Sequence, residues 1–375
     1  MAAAPATMRA ALCTGNGAVD DVLTVVDDVP RPAFDPSAKA TRGFALVRVL
    51  ATALAPGDIR VLSGQTREIQ GPPSFPYIPG GADLCGVVKA VADGEDYLQV
   101  GDRVVSQFYQ NWGGLAEFAL VKSSNCARAP PAGILSAPEA AATASSGCAA
   151  VAISRRHVRR GDRVLVVGGS GGVGAFLVQL ARARGASFVA AVSTQTALMR
   201  ELGVDRAVDY REEDVWTLGE EWGRGGQKFD VVFDLVEKGW DRVTSKEGRA
   251  RPIVKSGWQG GRFVTTVPPC GKWFEIHSVR QMLSVFVFPV LGKVLSSLLW
   301  PWGRPRYKFA LAIGVDSDRS QFTEIFDLIE AGDVKVVLDG GGARGFTTEG
   351  VREAFRRQES GHAHGKIVVR IAAED

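Results

Sequence analysis

The chain has 375 residues, 46% hydrophobic and 23% charged, with a formal net charge of +3. That length favours two domains over one, and that apolar fraction excludes a disordered chain. A charge so small excludes the electrostatic footprint of a nucleic-acid binder.

The N-terminal stretch MAAAPATMRAALC has neither an apolar core nor repeated arginines, so a cytoplasmic location is the default expectation. The five cysteines are scattered without a Cys-x-x-Cys pair and read as free thiols. None of the four histidines pairs at a zinc-like spacing; His362 and His364 read as surface residues. Residues 8–125 are β-rich, with strands expected over Gly43–Ala53, Leu84–Val91 and Asp102–Phe108. Eight prolines between Pro30 and Pro79 interrupt this region, which predicts a compact irregular barrel rather than a βαβ unit. Ala137–Ile153 is alanine-rich and helix-prone.

From Arg163 the pattern changes to alternating strand and helix. Arg163–Val167 is a short apolar run of the kind that forms a buried strand. Gly168, Gly169, Ser170, Gly171, Gly172, Val173 and Gly174 follow, and Ala175–Arg184 then reads as a helix. In this context Gly169-x-Gly171-x-x-Gly174 is a dinucleotide fingerprint. The glycines allow a tight turn and a close backbone approach to a pyrophosphate, and the helix N-terminus offers N–H groups to the anion. Further strands are expected at Ser187–Val192, Arg206–Val208, Phe229–Leu235 and Gly261–Val267, with a helix at Ala197–Leu202 closed by Gly203. The expected fold is a doubly wound parallel sheet with its crevice at the carboxyl ends of the strands.

Residues 279–302 are strongly apolar, and Lys293 is the only charge between Met282 and Trp302. Pro289 and Gly292 are expected to break the segment into helices buried at a subunit interface or over a substrate mouth, with a peripheral membrane contact as the alternative. Then come strands at Tyr307–Ile313, Val334–Leu338 and Lys366–Ile371, and helices at Ser320–Ala331 and Thr347–Arg357, the last capped by Thr348.

An NAD-selective site places an acid at the end of the second strand of such a sheet. Here that strand ends Val192-Ser193-Thr194-Gln195-Thr196. With no carboxylate to repel a 2′-phosphate, and with Ser193 and Thr194 able to donate hydrogen bonds, the expected cofactor is NADPH (NADP+).

The ordered set of motifs resembles the medium-chain dehydrogenase/reductase superfamily. The shared pieces are Ala55-Pro-Gly-Asp58, Gly81-Ala-Asp-Leu-Cys-Gly86, Val100-Gly-Asp-Arg-Val104, Gly113-Gly-Leu-Ala-Glu-Phe118, the glycine loop and Asp209-Tyr-Arg-Glu-Glu-Asp214. Within it the chain is similar to the zinc-free quinone oxidoreductases. The nearest branch is that of the reticulon-interacting mitochondrial oxidoreductases and chloroplast-envelope quinone oxidoreductases, on Tyr307–Ala312 and Gly361–Val369. The resemblance implies a GroES-like β-barrel domain over 1–136 and 315–375, and a Rossmann domain over 137–314 that carries the 279–302 insertion. It implies that Tyr210 lies against the adenine–ribose end, with Arg211 assisting and Lys366 as a further cofactor contact. It points to Asp58 and Ser146 on the catalytic side. Where zinc enzymes of this fold have Gly-His-Glu, this chain has Gly81-Ala82-Asp83, so no metal is expected.

The resulting expectation is a zinc-independent oxidoreductase passing hydride from NADPH to a quinone or an α,β-unsaturated carbonyl, an acceptor that needs no Lewis acid. An enoyl-thioester reductase of the same fold is the alternative enzyme. An NADPH-binding interaction or sensor protein is the alternative without turnover. The resemblance also admits a homodimer and a mitochondrial or plastid location.

Overall fold

The computed structural model describes residues 7–66, 74–80, 83–107, 113–218, 227–271, 275–276, 278–310 and 319–374. Gly81, Ala82 and Phe108, and the expected strand end at 311–313, lie outside the described residues. The chain divides into two units: Met1–Cys148 with Gly314–Ala331 and Val336–Asp375, and Ala149–Ile313 with Gly332–Lys335. The division falls within the helix Ala137–His157, after Cys148, and not at its start near residue 137. Ser145 and Ser146 therefore belong to the first unit.

The first unit contains β1 (Thr7–Cys13), β2 (Leu23–Pro30), β3 (Phe44–Ala53), β4 (Leu84–Val91), β5 (Arg103–Ser106), β6 (Phe118–Lys122) and β7 (Cys126–Arg128). The second contains β8 (Arg163–Val167), β9 (Phe188–Val192), β10 (Arg206–Val208), β11 (Val231–Asp234), β12 (Arg262–Thr265) and β13 (Arg306–Phe309). The chain then adds β14 (Arg344–Gly345) and β15 (Val368–Arg370) to the first unit.

β3 organises the first unit. Its ten residues pair antiparallel with β4, β6 and β15, so one strand ties early and late segments together. Irregularities in the β3–β4 register after Leu46 and Val49 bend the sheet, as the strands of a small barrel must. Gly86 sits where the strands approach most closely: a Cβ there would come within 2.3 Å of the Arg48 carbonyl oxygen. Val47, Val49, Leu84, Val88 and Val104 fill the interior.

In the second unit all strand pairings are parallel and the order is β10-β9-β8-β11-β12-β13. Counted from β8, this is the 3-2-1-4-5-6 order of a Rossmann sheet, which reverses direction between its first and fourth strands. Phe229, Val232 and Phe263 pack in its core with Trp240 and Tyr307, whose rings meet edge-on at 4.8 Å.

Three expectations need correction. Val334–Leu338 is not a strand; only Leu338 bridges to Lys366. Gln179 takes the place of a neighbouring strand. Its side-chain amide accepts the Lys335 N–H at 2.7 Å and donates to the Lys335 carbonyl at 2.9 Å. The helix Thr348–Glu359 is capped by Thr347, whose hydroxyl accepts the Gly350 N–H at 3.0 Å, while the Thr348 hydroxyl accepts the Val25 N–H. Finally, 279–302 is not broken. Val279–Leu299 runs as one helix of 21 residues, with a π-helical stretch at Leu283–Val287. The wider turns there accommodate the missing N–H and the bulky ring of Pro289. Nor is it buried within its unit: most of its apolar side chains are exposed or half-exposed, and by length and composition it could cross a membrane.

His157 ends the long helix in a basic neighbourhood. Burial first, then Lys308, Arg262 and Arg156, push its pKa down to about 4 from 6.5. The imidazole is therefore neutral in the folded state, while the unfolded chain takes up its proton near pH 6.5. Its contribution to stability is complete above pH 6.5 and declines as pH falls towards 4. His157→Gln should flatten that part of the decline in a series of urea unfolding midpoints against pH.

Candidate dinucleotide site

The site grows out of the end of β8. Gly168 adopts φ +87°, which lets the N–H groups of Gly168 and Gly169 both donate to the Val192 carbonyl at 3.1 Å. Two of the three fingerprint glycines are required by contact. A Cβ on Gly169 would lie 2.8 Å from the Ala191 Cβ, and one on Gly174 only 2.2 Å from the Gly168 carbonyl oxygen. Gly171 is the N-cap of the helix Gly172–Ala183 and supplies no side-chain cap, and the first turn contains no acid. The N–H groups of Gly172, Val173 and Gly174 have no acceptor within the helix, so the loop and helix end form a cradle for an anion. A dinucleotide pyrophosphate fits it. The Gly168 position also abuts Val236 in the loop after β11, which places the cradle at the switch point of the sheet.

The end of β9 differs in detail from expectation. Ser193 is buried, donates to the Ser170 hydroxyl at 2.7 Å, and accepts the Gln195 N–H at 3.0 Å. It ties the glycine loop to β9. Thr194 and Thr196 remain half-exposed beside it. After β10, Asp209 grips Arg211 through two carboxylate oxygens, at 3.0 Å and 2.5 Å, and those hydrogen bonds hold the Asp209 pKa below the usual carboxylate range. The Arg211 side chain is still mostly exposed, as is Tyr210.

The loop after β11 is shaped by Asp234, which sequence reading left inside a strand. Its carboxylate accepts the N–H groups of Val236, Glu237 and Gly239. Burial nevertheless pushes its pKa up. These bonds hold Lys238 at φ 65°, a left-handed conformation costly for a residue with a side chain. A charged residue closing an apolar strand was the available signal. The loop borders a cavity of about 260 Å³ at the carboxyl ends of β11 and β12, lined also by Thr265, Cys270, Lys293 and Tyr307.

The remaining candidates lie in the first unit. Asp58 is buried and accepts the Ala55 N–H at 2.7 Å, closing the first turn of the helix Pro56–Leu62. Tyr77, which sequence reading missed, is a buried phenol near Asp58 and Cys13. Burial first, then those neighbours, raise its pKa and keep it protonated. Ser146 is buried. Lys366 is buried too, donating to the Leu54 carbonyl at 2.8 Å with its ammonium 3.7 Å from Asp83. Ser145 donates to the other Asp83 oxygen.

That arrangement bears on zinc. The Asp83 carboxylate already faces an ammonium and a hydroxyl, and among the described residues no three His, Cys, Asp or Glu side chains come together as metal ligands. Among the described residues, the donor set around Asp83 does not fit the metal.

Gly174→Ala should weaken dinucleotide binding at least roughly tenfold, read by the fluorescence of bound NADPH, since the clash is with backbone that cannot rotate away. Lys366→Met should destabilise the fold by about 3 kcal/mol, read by urea unfolding, because it leaves Asp83 buried without its cation.

Residues 41–131 match the alcohol dehydrogenase GroES-like domain, and residues 202–369 match the zinc-binding dehydrogenase family, whose description names a metal this donor set does not fit. The NAD(P)H oxidoreductase RTN4IP1, mitochondrial, of Mus musculus is 33% identical over 302 residues, covering 78% of this chain and 70% of that protein. The NADPH-dependent alkenal/one oxidoreductase, chloroplastic, of Arabidopsis thaliana is 29% identical over 385 residues, covering 98% and 81%. Among solved structures, the Escherichia coli quinone oxidoreductase complexed with NADPH superposes with a TM-score of 0.73 at 22% identity, covering 96% of this chain and 99% of that one. The relative at 33% identity, aligned over most of both chains, agrees with the Rossmann sheet and its glycine cradle: the protein belongs to the medium-chain dehydrogenase/reductase superfamily of oxidoreductases.

Proposed function

We propose that this protein is an NADPH-dependent reductase that delivers hydride to a quinone or another α,β-unsaturated carbonyl without help from a metal. The observation that carries the cofactor choice is the end of β9. Ser193-Thr194-Gln195-Thr196 places no carboxylate beside the glycine cradle, and Arg211 presents an exposed guanidinium from the next strand end. A 2′-phosphate would meet no carboxylate from the end of β9, and the outer edge of the Arg211 guanidinium, oriented by Asp209, would offer it a charge-assisted hydrogen bond. The relatives' names support the same choice, one being NADPH-dependent and one solved with NADPH.

The chain's residues divide the work as follows. Gly168–Gly174 hold the pyrophosphate through backbone N–H groups, with Ser170 fixed by Ser193. Thr194 and Arg211 hold the 2′-phosphate, and Tyr210 covers the adenine–ribose end. NADPH, when bound, supplies the hydride. Asp58 acts by positioning: as an acceptor for the Ala55 N–H it holds the turn at the start of its helix. Ser146 is proposed as a hydroxyl on the acceptor side. Lys366 acts through Asp83 and the Leu54 carbonyl, as a support rather than a cofactor contact.

The acceptor class is supported by the sequence Gly81-Ala82-Asp83 where zinc enzymes of this fold have Gly-His-Glu. An unactivated ketone needs a Lewis acid to take up hydride, and no metal-ligand set is present among the described residues. A quinone or enone is electron-poor enough to react when it is simply held in line. The names of the relatives, a quinone oxidoreductase and an alkenal/one oxidoreductase, support this reading.

Steady-state NADPH consumption with a panel of quinones, enones and crotonyl-CoA tests it. Turnover of quinones or enones with NADPH well ahead of NADH is expected. Crotonyl-CoA as the only acceptor would move the assignment to enoyl-thioester reduction, and no turnover despite bound NADPH would overturn the enzyme reading. Arg211→Gln should raise the KM for NADPH roughly tenfold or more and leave that for NADH nearly unchanged.

A further inference from the structure

The helix Val279–Leu299 turns large apolar side chains to solvent. Phe288, Leu291, Leu295, Leu298 and Leu299 are exposed, and their spacing aligns them on one stripe. The other side holds the helix to its own unit: Val290 and Val294 pack on the sheet core, Ser297 is buried, and the Phe286 ring meets Phe309 edge-on at 5.2 Å. An ordinary surface helix carries charge on its outer face. This one is apolar on both.

Two further features accompany the stripe. Trp258, Trp300 and Trp302 are exposed at the C-terminal end of the helix, with Trp258 and Trp302 in edge contact at 5.7 Å. Between Glu275 and Asp316 the sequence contains no acid and five basic residues: Arg280, Lys293, Arg304, Arg306 and Lys308. Arg280 is exposed, and the Arg304 guanidinium stands 6.0 Å over the Trp300 ring.

We propose that this face docks on a membrane surface that carries anionic lipid, with the helix lying in the interface plane. Apolar side chains would enter the acyl boundary, tryptophans would sit at headgroup level, and basic groups would meet lipid phosphates and carboxylates. A second copy is a poorer occupant. A two-fold contact would bring Arg280 and Arg304 towards their own copies, with no acid between Glu275 and Asp316 to pair them. A crossing helix is poorer still, because both ends are tethered to the same unit. Ile276 is buried just before the helix, and just after it the Pro301 carbonyl accepts the Trp258 N–H at 3.1 Å. The inference does not rest on the identity of the hydride acceptor.

Co-sedimentation of the full chain with vesicles tests it, comparing phosphatidylcholine alone with phosphatidylcholine containing phosphatidylserine. Binding to the anionic vesicles, reversed by salt, is expected. Arg280→Gln and Arg304→Gln should each weaken it roughly fivefold. The pair Leu291→Glu and Leu295→Glu should abolish it while the thermal midpoint and NADPH fluorescence stay unchanged. Should that pair unfold the protein, the arginine variants still decide the matter. Absence of vesicle binding would overturn the proposal. So would a dimer that the leucine pair dissociates without any vesicle binding, or equal binding to neutral vesicles that survives alkaline carbonate.

Discussion

A backbone oxygen lies where a side chain at position 174 would begin. The 2.2 Å between the Gly168 carbonyl and a Cβ built on Gly174 means the loop and the helix can meet only if that residue is glycine. The cradle depends on this contact. It brings the first turn of the helix Gly172–Ala183 against the end of β8, and it leaves uncapped N–H groups at the switch point of the sheet. The nearby bonds serve the same geometry. Val192 accepts two N–H groups from the loop, and Ser193 clasps Ser170. The cofactor-binding function of this unit is thus largely a property of backbone held in place by close packing.

The first unit solves a different electrostatic problem. Asp83 is buried, and a buried carboxylate needs a cation. Lys366 brings one from the C-terminal segment, and Ser145 adds a hydrogen bond. The same C-terminal region anchors a second buried acid, Asp339. Burial alone would raise its pKa, but Arg357, the His364 N–H and Arg344 together hold it below the usual range. The Lys366–Asp83 pair helps bind the C-terminal segment to a region formed much earlier in the chain, while the Asp339 cluster holds that segment together within itself.

Much of this was legible in the sequence because it is local. The β8 and β10 runs, the glycine loop and the β4 strand can each be read from a few consecutive residues, and the structure gives them nearly the expected bounds. The missing acid after β9 is equally local. The failures come from long-range competition. Val334–Leu338 has the composition of a strand, yet the Gln179 amide, far away in sequence, takes the Lys335 hydrogen bonds. Pro289 looks like a breaker, yet a π-helical stretch absorbs it. The bond from Ser193 to Ser170, which ties the glycine loop to β9, is likewise visible only in the fold.

The amino-acid sequence by itself determined the class of each unit and the chemistry of the cradle, because hydrophobic period and glycine spacing act over a few residues. The tertiary structure alone decided which polar groups remain free to act and which are consumed in holding the fold. Lys366, Ser193 and Asp58 each take a hydrogen-bond partner within the protein that their sequence positions do not disclose. The outer face of Val279–Leu299 is the converse. The sequence announced apolar residues that ought to be buried, and only the completed fold, with its core already filled from the other side of that helix, left them facing outward.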